Sequence, residues 1–172
     1  MSSSASPAAA ATAEALAARL GEALLARGQS VATAESCTGG GVATALTAIA
    51  GSSRWFERGF VTYSNEAKQE MLGVSAATLE RDGAVSAATV TEMAAGALRH
   101  SRADWALAIS GIAGPDGGTP AKPVGTVWLA WAGPQGIRHC EQHLYPGDRR
   151  AVREQAGQRA IEGLLELLQN CI

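Results

Sequence analysis

With 172 residues, the chain is long enough to bury one proper core and too short for two comfortable domains. A hydrophobic fraction of 47%, 17% charged residues and a formal net charge of −2, without any run of like charges, describe a soluble globular protein and exclude an electrostatic grip on nucleic acid or an anionic membrane as the main activity. Three cysteines (Cys37, Cys140 and Cys171) without a CxxC spacing argue against a disulfide framework and a structural zinc site, and point to a reducing cytoplasm.

Met1 to Ala11 is a Ser/Ala/Pro stretch without periodicity, expected to be a disordered tail; it has neither the basic start nor the Leu-rich middle of a signal peptide. Behind it, Glu14, Arg19 and Glu22 interrupt an Ala-rich segment and rule out a membrane-spanning helix. Residues 12–172 read as a single domain. From Thr12 to Arg27, Leu16, Leu20, Ala23 and Leu24 recur at helical spacing, and Gly28 is a stop signal. Val31 to Ala34 is a mostly apolar first strand, central in its sheet.

That strand runs into Ser36-Cys37-Thr38-Gly39-Gly40-Gly41, a turn expected to open a helix reaching about Ile49. Three glycines in a row are costly in regular structure and imply a close backbone approach. At a helix N-terminus, free N–H groups and the dipole suit a phosphate, a carboxylate or an oxyanion developing on an amide. Simple capping of the helix by Ser36 or Thr38 is the alternative.

Arg58 to Ser64 alternates and reads as a second strand, followed by a short helix from Glu66 to Leu72 carrying Lys68 and a helical turn from Ser75 to Asp82. Ala87 to His100 is a helix with Ser86 as N-cap and Glu92, Arg99 and His100 toward solvent. Trp105 to Ile109 is a third strand, apolar throughout, ending in a Gly/Pro loop from Ser110 to Pro120 of the kind that surrounds ligands. Val124 to Ala132 and Gly136 to Tyr145 form an antiparallel hairpin, and Arg149 to Leu168 closes the chain as an amphipathic helix. These elements imply a three-layer α/β/α sandwich around a mixed five-stranded sheet. In such sheets the ligand crevice lies beyond the carboxyl ends of the parallel strands, which brings Ser36 and Ser110 side by side.

Of the 14 basic residues only Lys68 and Lys122 are lysines. Lysine can lose its proton when desolvated and arginine cannot, so a Ser–Lys pair is open to this chain as nucleophile and base, against the plainer reading of Lys68 as an exposed helix residue. Cys37 is a second candidate nucleophile if a helix N-terminus lowers its pKa. His139 and His143 flank Cys140 at i and i+4 of a strand; without a nearby carboxylate loop they make a weak metal signal, and a solvated edge strand is the simpler reading. Trp55, Trp105, Trp128 and Trp131 are core or interface residues. Arg149, Arg150 and Arg153 oppose the dipole at the start of the last helix, either accompanying a bound anion or simply solvated.

Taken together, Thr33-Ala34-Glu35-Ser36-Cys37-Thr38-Gly39-Gly40, Val61-Thr62-Tyr63-Ser64-Asn65-Glu66-Ala67-Lys68, Gly83-Ala84-Val85-Ser86, Gly111-Ile112-Ala113-Gly114-Pro115-Asp116-Gly117-Gly118, Lys122-Pro123-Val124-Gly125-Thr126-Val127 and Gly147-Asp148-Arg149 with Arg153 resemble the CinA C-terminal domain family, in order and from about Ala32 onward. Enzymatic members of that family are nicotinamide mononucleotide amidohydrolases. The resemblance implies hydrolysis of the nucleotide's carboxamide, with Ser36 as nucleophile and Tyr63 and Lys68 activating it and relaying protons. Backbone N–H groups after Ser36 (Cys37, Thr38, Gly39, Gly40) would hold the oxyanion. Ser110 stands where the family commonly has threonine and keeps the hydroxyl. Arg149 and the glycine loop, through Gly111 and Gly114, are candidates for the ribose phosphate. No cofactor and no metal is implied. Longer relatives carry an extra N-terminal domain, so this chain is expected to be the stand-alone form, a small-molecule enzyme of the cytoplasm without nucleic-acid or membrane partners. Ala- and Trp-bearing helix faces allow a homo-oligomer. The alternative is a non-catalytic nucleotide-binding or regulatory module, because family members are also linked with competence and DNA damage.

Overall fold

A computed structural model describes residues 11–171; apart from Ala11, the expected tail lies outside the described residues. The elements run α1 (Ala13–Arg27), β1 (Val31–Glu35), α2 (Gly41–Thr47), β2 (Phe56–Val61), α3 (Asn65–Leu72), α4 (Ala76–Asp82), α5 (Ala87–Arg99), β3 (Trp105–Gly111), β4 (Thr126–Ala132), β5 (Arg138–Leu144) and α6 (Arg149–Asn170), with short 3-10 turns at Ser52–Arg54 and Pro134–Gly136. No helix among them is long and apolar enough to cross a membrane.

The strands form one mixed sheet in the order β2-β1-β3-β4-β5. β1 is parallel to both β2 and β3, while β4 and β5 continue as the expected antiparallel hairpin. Both faces are covered. On one, α1, α2 and α6 bury Leu20, Leu24, Val42, Ile161 and Leu164 against Ile109, Leu129 and Trp131. On the other, Leu72, Val90 and Met93 from α3 and α5 pack on Ala34, Ala106, Ala108 and Ala130. Alanines on that face let α5 sit close to the sheet, and because helices cover both faces, β1 is buried along its whole length and β3 as far as Ser110, rather than at alternate residues. Gly96 in α5 completes the contact: a Cβ there would overlap the carbonyl oxygen of Leu72, so α3 is seated directly against α5.

Caps match the chain's turn chemistry. Thr12, Ser64, Ser75, Ser86 and Asp148 each accept the backbone N–H three residues on, and Gly28 closes α1 at φ 61°. Trp55, Trp105 and Trp131 are buried in the core.

Three details differ from the sequence reading. Helix α2 begins only at Gly41 and ends at Thr47, because Gly39 and Gly40 adopt positive φ (58° and 96°) and keep the preceding turn out of the helix. Strand β2 stops at Val61, leaving Thr62 and Tyr63 in a loop. Glu92 does not face solvent freely; its carboxylate accepts from the Ser75 N–H and the Thr78 hydroxyl and ties α5 to α4.

Candidate active site

Two parallel neighbours, β1 and β3, end together: Glu35 is paired with Ile109, and the Ser36 N–H donates to the Ile109 carbonyl at 3.0 Å. Since the chain leaves β1 for β2 on one side and reaches β3 on the other, this is the switch point where an open α/β sheet forms its crevice. Ser36 and Ser110 both line a cavity of about 280 Å³ there, with Tyr63, Lys68, Gly114 and Arg149. Cys37 and Gly111 also line it; Thr38, Gly39 and Gly40 shape the turn behind.

Ser36 is set by the turn that follows it. The Gly39 N–H closes onto the Ser36 carbonyl and the Gly41 N–H onto that of Thr38, whereas the N–H groups of Cys37 and Thr38 donate to no backbone carbonyl among the described residues. Neither Ser36 nor Thr38 caps α2: its N-cap is Gly40, which has no side chain to offer. The capping is done by Glu35. Its buried carboxylate accepts from the N–H groups of Val42 and Ala43 at 2.8 and 3.0 Å. The positive end of α2 is therefore satisfied internally, and the expectation that it greets a substrate anion gives way to a separate turn with its own free amides.

Lys68 reaches this turn from α3. The Ser64 cap starts the helix, and the lysine, on its first full turn, points inward with 1% of its surface exposed. Its Nζ lies 3.0 Å from Ser36 Oγ, 2.9 Å from the Thr62 carbonyl and 3.4 Å from that of Tyr63. Among the described residues no carboxylate forms a salt bridge with it. Burial holds its pKa below the ordinary lysine value, so the neutral amine needed to accept a hydroxyl proton forms more readily than on an exposed lysine. The exposed-helix reading of Lys68 does not hold. Lys122 sits elsewhere, its Nζ donating to the Asp82 carbonyl at 2.7 Å.

Cys37 has the opposite character. Burial pushes its thiol up to about 11, and it does not stand at a helix N-terminus, so the thiolate that a cysteine nucleophile requires is disfavoured. Tyr63 is 61% exposed, and its phenol oxygen accepts from Arg149 Nη2 at 2.9 Å rather than meeting Ser36 or Lys68; only its carbonyl touches the amine. Arg149 also donates to the Gly114 carbonyl at 2.8 Å, joining the glycine loop to the mouth of the cavity. Ser110 is buried at the end of β3.

Of the three arginines that oppose the α6 dipole, Arg150 is a solvated partner of Glu154, while Arg149 and Arg153 grip the site. Arg153 donates from Nε to the Cys37 carbonyl at 3.0 Å and from Nη2 to that of Thr38 at 3.3 Å. Sequence reading offered Arg153 only as an anion's companion or a solvated side chain, and left Glu35 without a role. Spacing by four puts Arg149 and Arg153 on one face of a helix, the one signal available for the arginine. On β5 the ring nitrogens of His139 and His143 pair with Glu141, which in turn binds Arg159. Among the described residues no group of three or more His, Cys, Asp or Glu side chains is arranged to hold a metal ion.

A hydroxyl against a desolvated amine, beside a turn with two N–H groups that donate to no backbone carbonyl among the described residues, offers the parts that acyl transfer requires. The model of the CinA C-terminal domain matches residues 13–168. Nicotinamide-nucleotide amidohydrolase PncC of Escherichia coli (strain K12) is 59% identical over 153 residues, 88% of this chain and 93% of that protein. The protein of the same name from Pseudomonas putida is 53% identical over 152 residues, 88% of this chain and 94% of that one. The crystal structure of competence/damage inducible protein CihA from Agrobacterium tumefaciens superposes with a TM-score of 0.89 at 48% identity, covering 90% of this chain and 94% of that one.

Proposed function

The chain belongs to the CinA C-terminal domain family, and from that premise we propose that it is a nicotinamide-nucleotide amidohydrolase run by Ser36 and Lys68. It hydrolyses the carboxamide of nicotinamide mononucleotide to nicotinate mononucleotide and ammonia, a step of pyridine nucleotide salvage. The observation that carries the site assignment is the 3.0 Å contact between a hydroxyl and a buried amine that pairs with no carboxylate among the described residues.

Neutral Lys68 takes the Ser36 proton as Oγ bonds to the amide carbon, and the carbonyl oxygen becomes an oxyanion facing the N–H groups of Cys37 and Thr38. The resulting lysine ammonium protonates the amide nitrogen, the C–N bond breaks, and ammonia leaves an ester on Ser36. Water adds to that ester and gives its proton to Lys68. The Ser36–carbon bond then breaks, the serine oxygen recovers the proton, and nicotinate mononucleotide is released. Nucleophile, base and acid are all supplied by two side chains, so the cycle calls on no metal ion. Arg149 and the glycine loop through Gly111 and Gly114 receive the ribose phosphate. Ser110 orients the pyridine-bearing end, the Tyr63 phenol steadies Arg149 at the phosphate end, and the Tyr63 carbonyl helps hold the Lys68 amine that relays the proton.

A nucleotide-binding module without turnover, the second reading, has no use for a desolvated amine against a hydroxyl. Chromatography of nicotinamide mononucleotide after incubation with the protein separates the two: nicotinate mononucleotide is expected, whereas tight binding of unchanged nucleotide would support the module.

A further inference from the structure

We infer that Arg153 is a positioning residue for the oxyanion: from behind the Ser36 turn, its guanidinium aims and polarises the N–H groups of Cys37 and Thr38. This rests on the amidase reading of Ser36 and adds to it a residue outside the cavity, since Arg153 is not among the residues lining it.

The geometry is a matter of peptide planes. In a trans peptide the C=O and N–H point in opposite directions. Arg153 Nε holds the Cys37 carbonyl at 3.0 Å, so the other end of that same peptide, the free Thr38 N–H, faces away from the guanidinium. Arg153 Nη2 holds the Thr38 carbonyl at 3.3 Å, and the far end of that peptide is the Gly39 N–H, which donates to the Ser36 carbonyl at 3.0 Å. The peptide containing the Ser36 carbonyl ends in turn in the Cys37 N–H, which also has no backbone acceptor among the described residues. Both unspent amides thus have a fixed positive charge at the back of their hydrogen-bond chains, one peptide away for Thr38 and two for Cys37. Chains of hydrogen bonds polarise one another in the same sense, so each N–H becomes a stronger donor toward developing negative charge.

Two further observations fit this assignment. A Cβ at Gly39 would stand 3.5 Å from Arg153 Nη2, so the guanidinium packs directly on the turn. The helix dipole that might otherwise have supplied this polarisation is consumed by Glu35, whose carboxylate occupies the first amides of α2. The turn therefore takes its positive field from α6 instead.

Hydrolysis of nicotinamide mononucleotide is measured for the wild type, Arg153→Ala, Arg153→Lys, Arg153→Gln and Ser36→Ala, with Arg150→Ala as the neighbouring-charge control and a melting curve for each. Removing an oxyanion donor outright costs about 10²–10³-fold in kcat, so loss of the group that aims two of them is expected to lower kcat by roughly 10-fold or more. KM should stay within about twofold, Arg150→Ala should match the wild type, and Arg153→Lys should recover part of the loss, because an ammonium can satisfy one carbonyl but lacks the planar fork for two. A rise in KM with kcat preserved would make Arg153 a substrate-gripping group and overturn the inference, as would wild-type kcat in Arg153→Ala. If Arg153→Ala melts below the assay temperature, the same split is read from the Lys and Gln variants. An active Ser36→Ala protein would instead overturn the amidase reading itself, whereas an inactive Ser36→Ala beside a fully active Arg153→Ala overturns only the role of Arg153.

Discussion

Lys68 Nζ lies 3.0 Å from Ser36 Oγ, although the two residues are 32 positions apart and come from different layers of the sandwich. Strand β1 delivers the serine to the carboxyl end of the sheet's parallel strands, and α3, seated against α5, delivers the amine. Removing that amine should cost about 10²–10⁴-fold in ammonia release, the range for a lost general base. Lys68→Met is the informative change, since it keeps the stem and removes the titratable group. Lys68→Arg should be as inactive, because arginine holds its proton.

The same amine sets a pH profile. Only neutral Lys68 can accept the serine proton, so kcat/KM should rise with pH through the folded-state pKa of Lys68, on a limb lying below the usual lysine value of 10.5. A limb centred on an ordinary lysine pKa would mean that the amine is solvated. Stability follows the same sign: with the folded pKa depressed, the unfolded chain binds more protons, so the wild type gains stability relative to Lys68→Met as pH rises toward 10.5. Denaturant midpoints of the two proteins across that range read the difference.

Cys37 contributes in the reverse direction. Its thiol rises from 9.0 to about 11 on folding, so its stabilising contribution is complete below pH 9 and is lost as pH climbs through 11. Over that window wild-type stability should fall relative to Cys37→Ala, by at most about 2–3 kcal/mol. Equal slopes for both proteins would contradict the buried, protonated thiol.

Glu35 holds the first amides of α2 in the core. Glu35→Ala leaves those donors unpaired and should lower stability by about 1–3 kcal/mol. Because the carboxylate sits next to Ser36, kcat should fall as well. Thermal melts with parallel assays read both effects.

Gly96→Ala tests how the fold seats the amine. The new methyl would run into the Leu72 carbonyl at the end of α3, and forcing them apart should cost about 1–3 kcal/mol. Since α3 carries Lys68, activity measured well below the melting temperature should fall too. A destabilised but fully active protein would show that the amine is placed independently of α5.

Much of this arrangement is legible in the sequence. Leu16, Leu20 and Leu24 show helical spacing, Trp105 to Ile109 an unbroken apolar strand, and Gly28 and Ser86 helix boundaries; each is a local pattern with a local cause. The scarcity of lysine draws attention to Lys68. What stays hidden is contact with backbone. Nothing in a one-dimensional pattern reveals that Arg153 meets carbonyls 116 and 115 residues away, or that the Tyr63 phenol turns to Arg149. The start of α2 is misjudged for a related reason: a hydroxyl before a helix suggests a cap, but Glu35 reaches forward from the strand and takes that place.

Ammonia released from nicotinamide mononucleotide by wild-type and Ser36→Ala protein, both shown to be folded, tests most directly whether the serine hydroxyl does the chemistry. Steady release by the wild type and a loss of several orders of magnitude in the variant are expected. Release by Ser36→Ala at a rate near that of the wild type would contradict it.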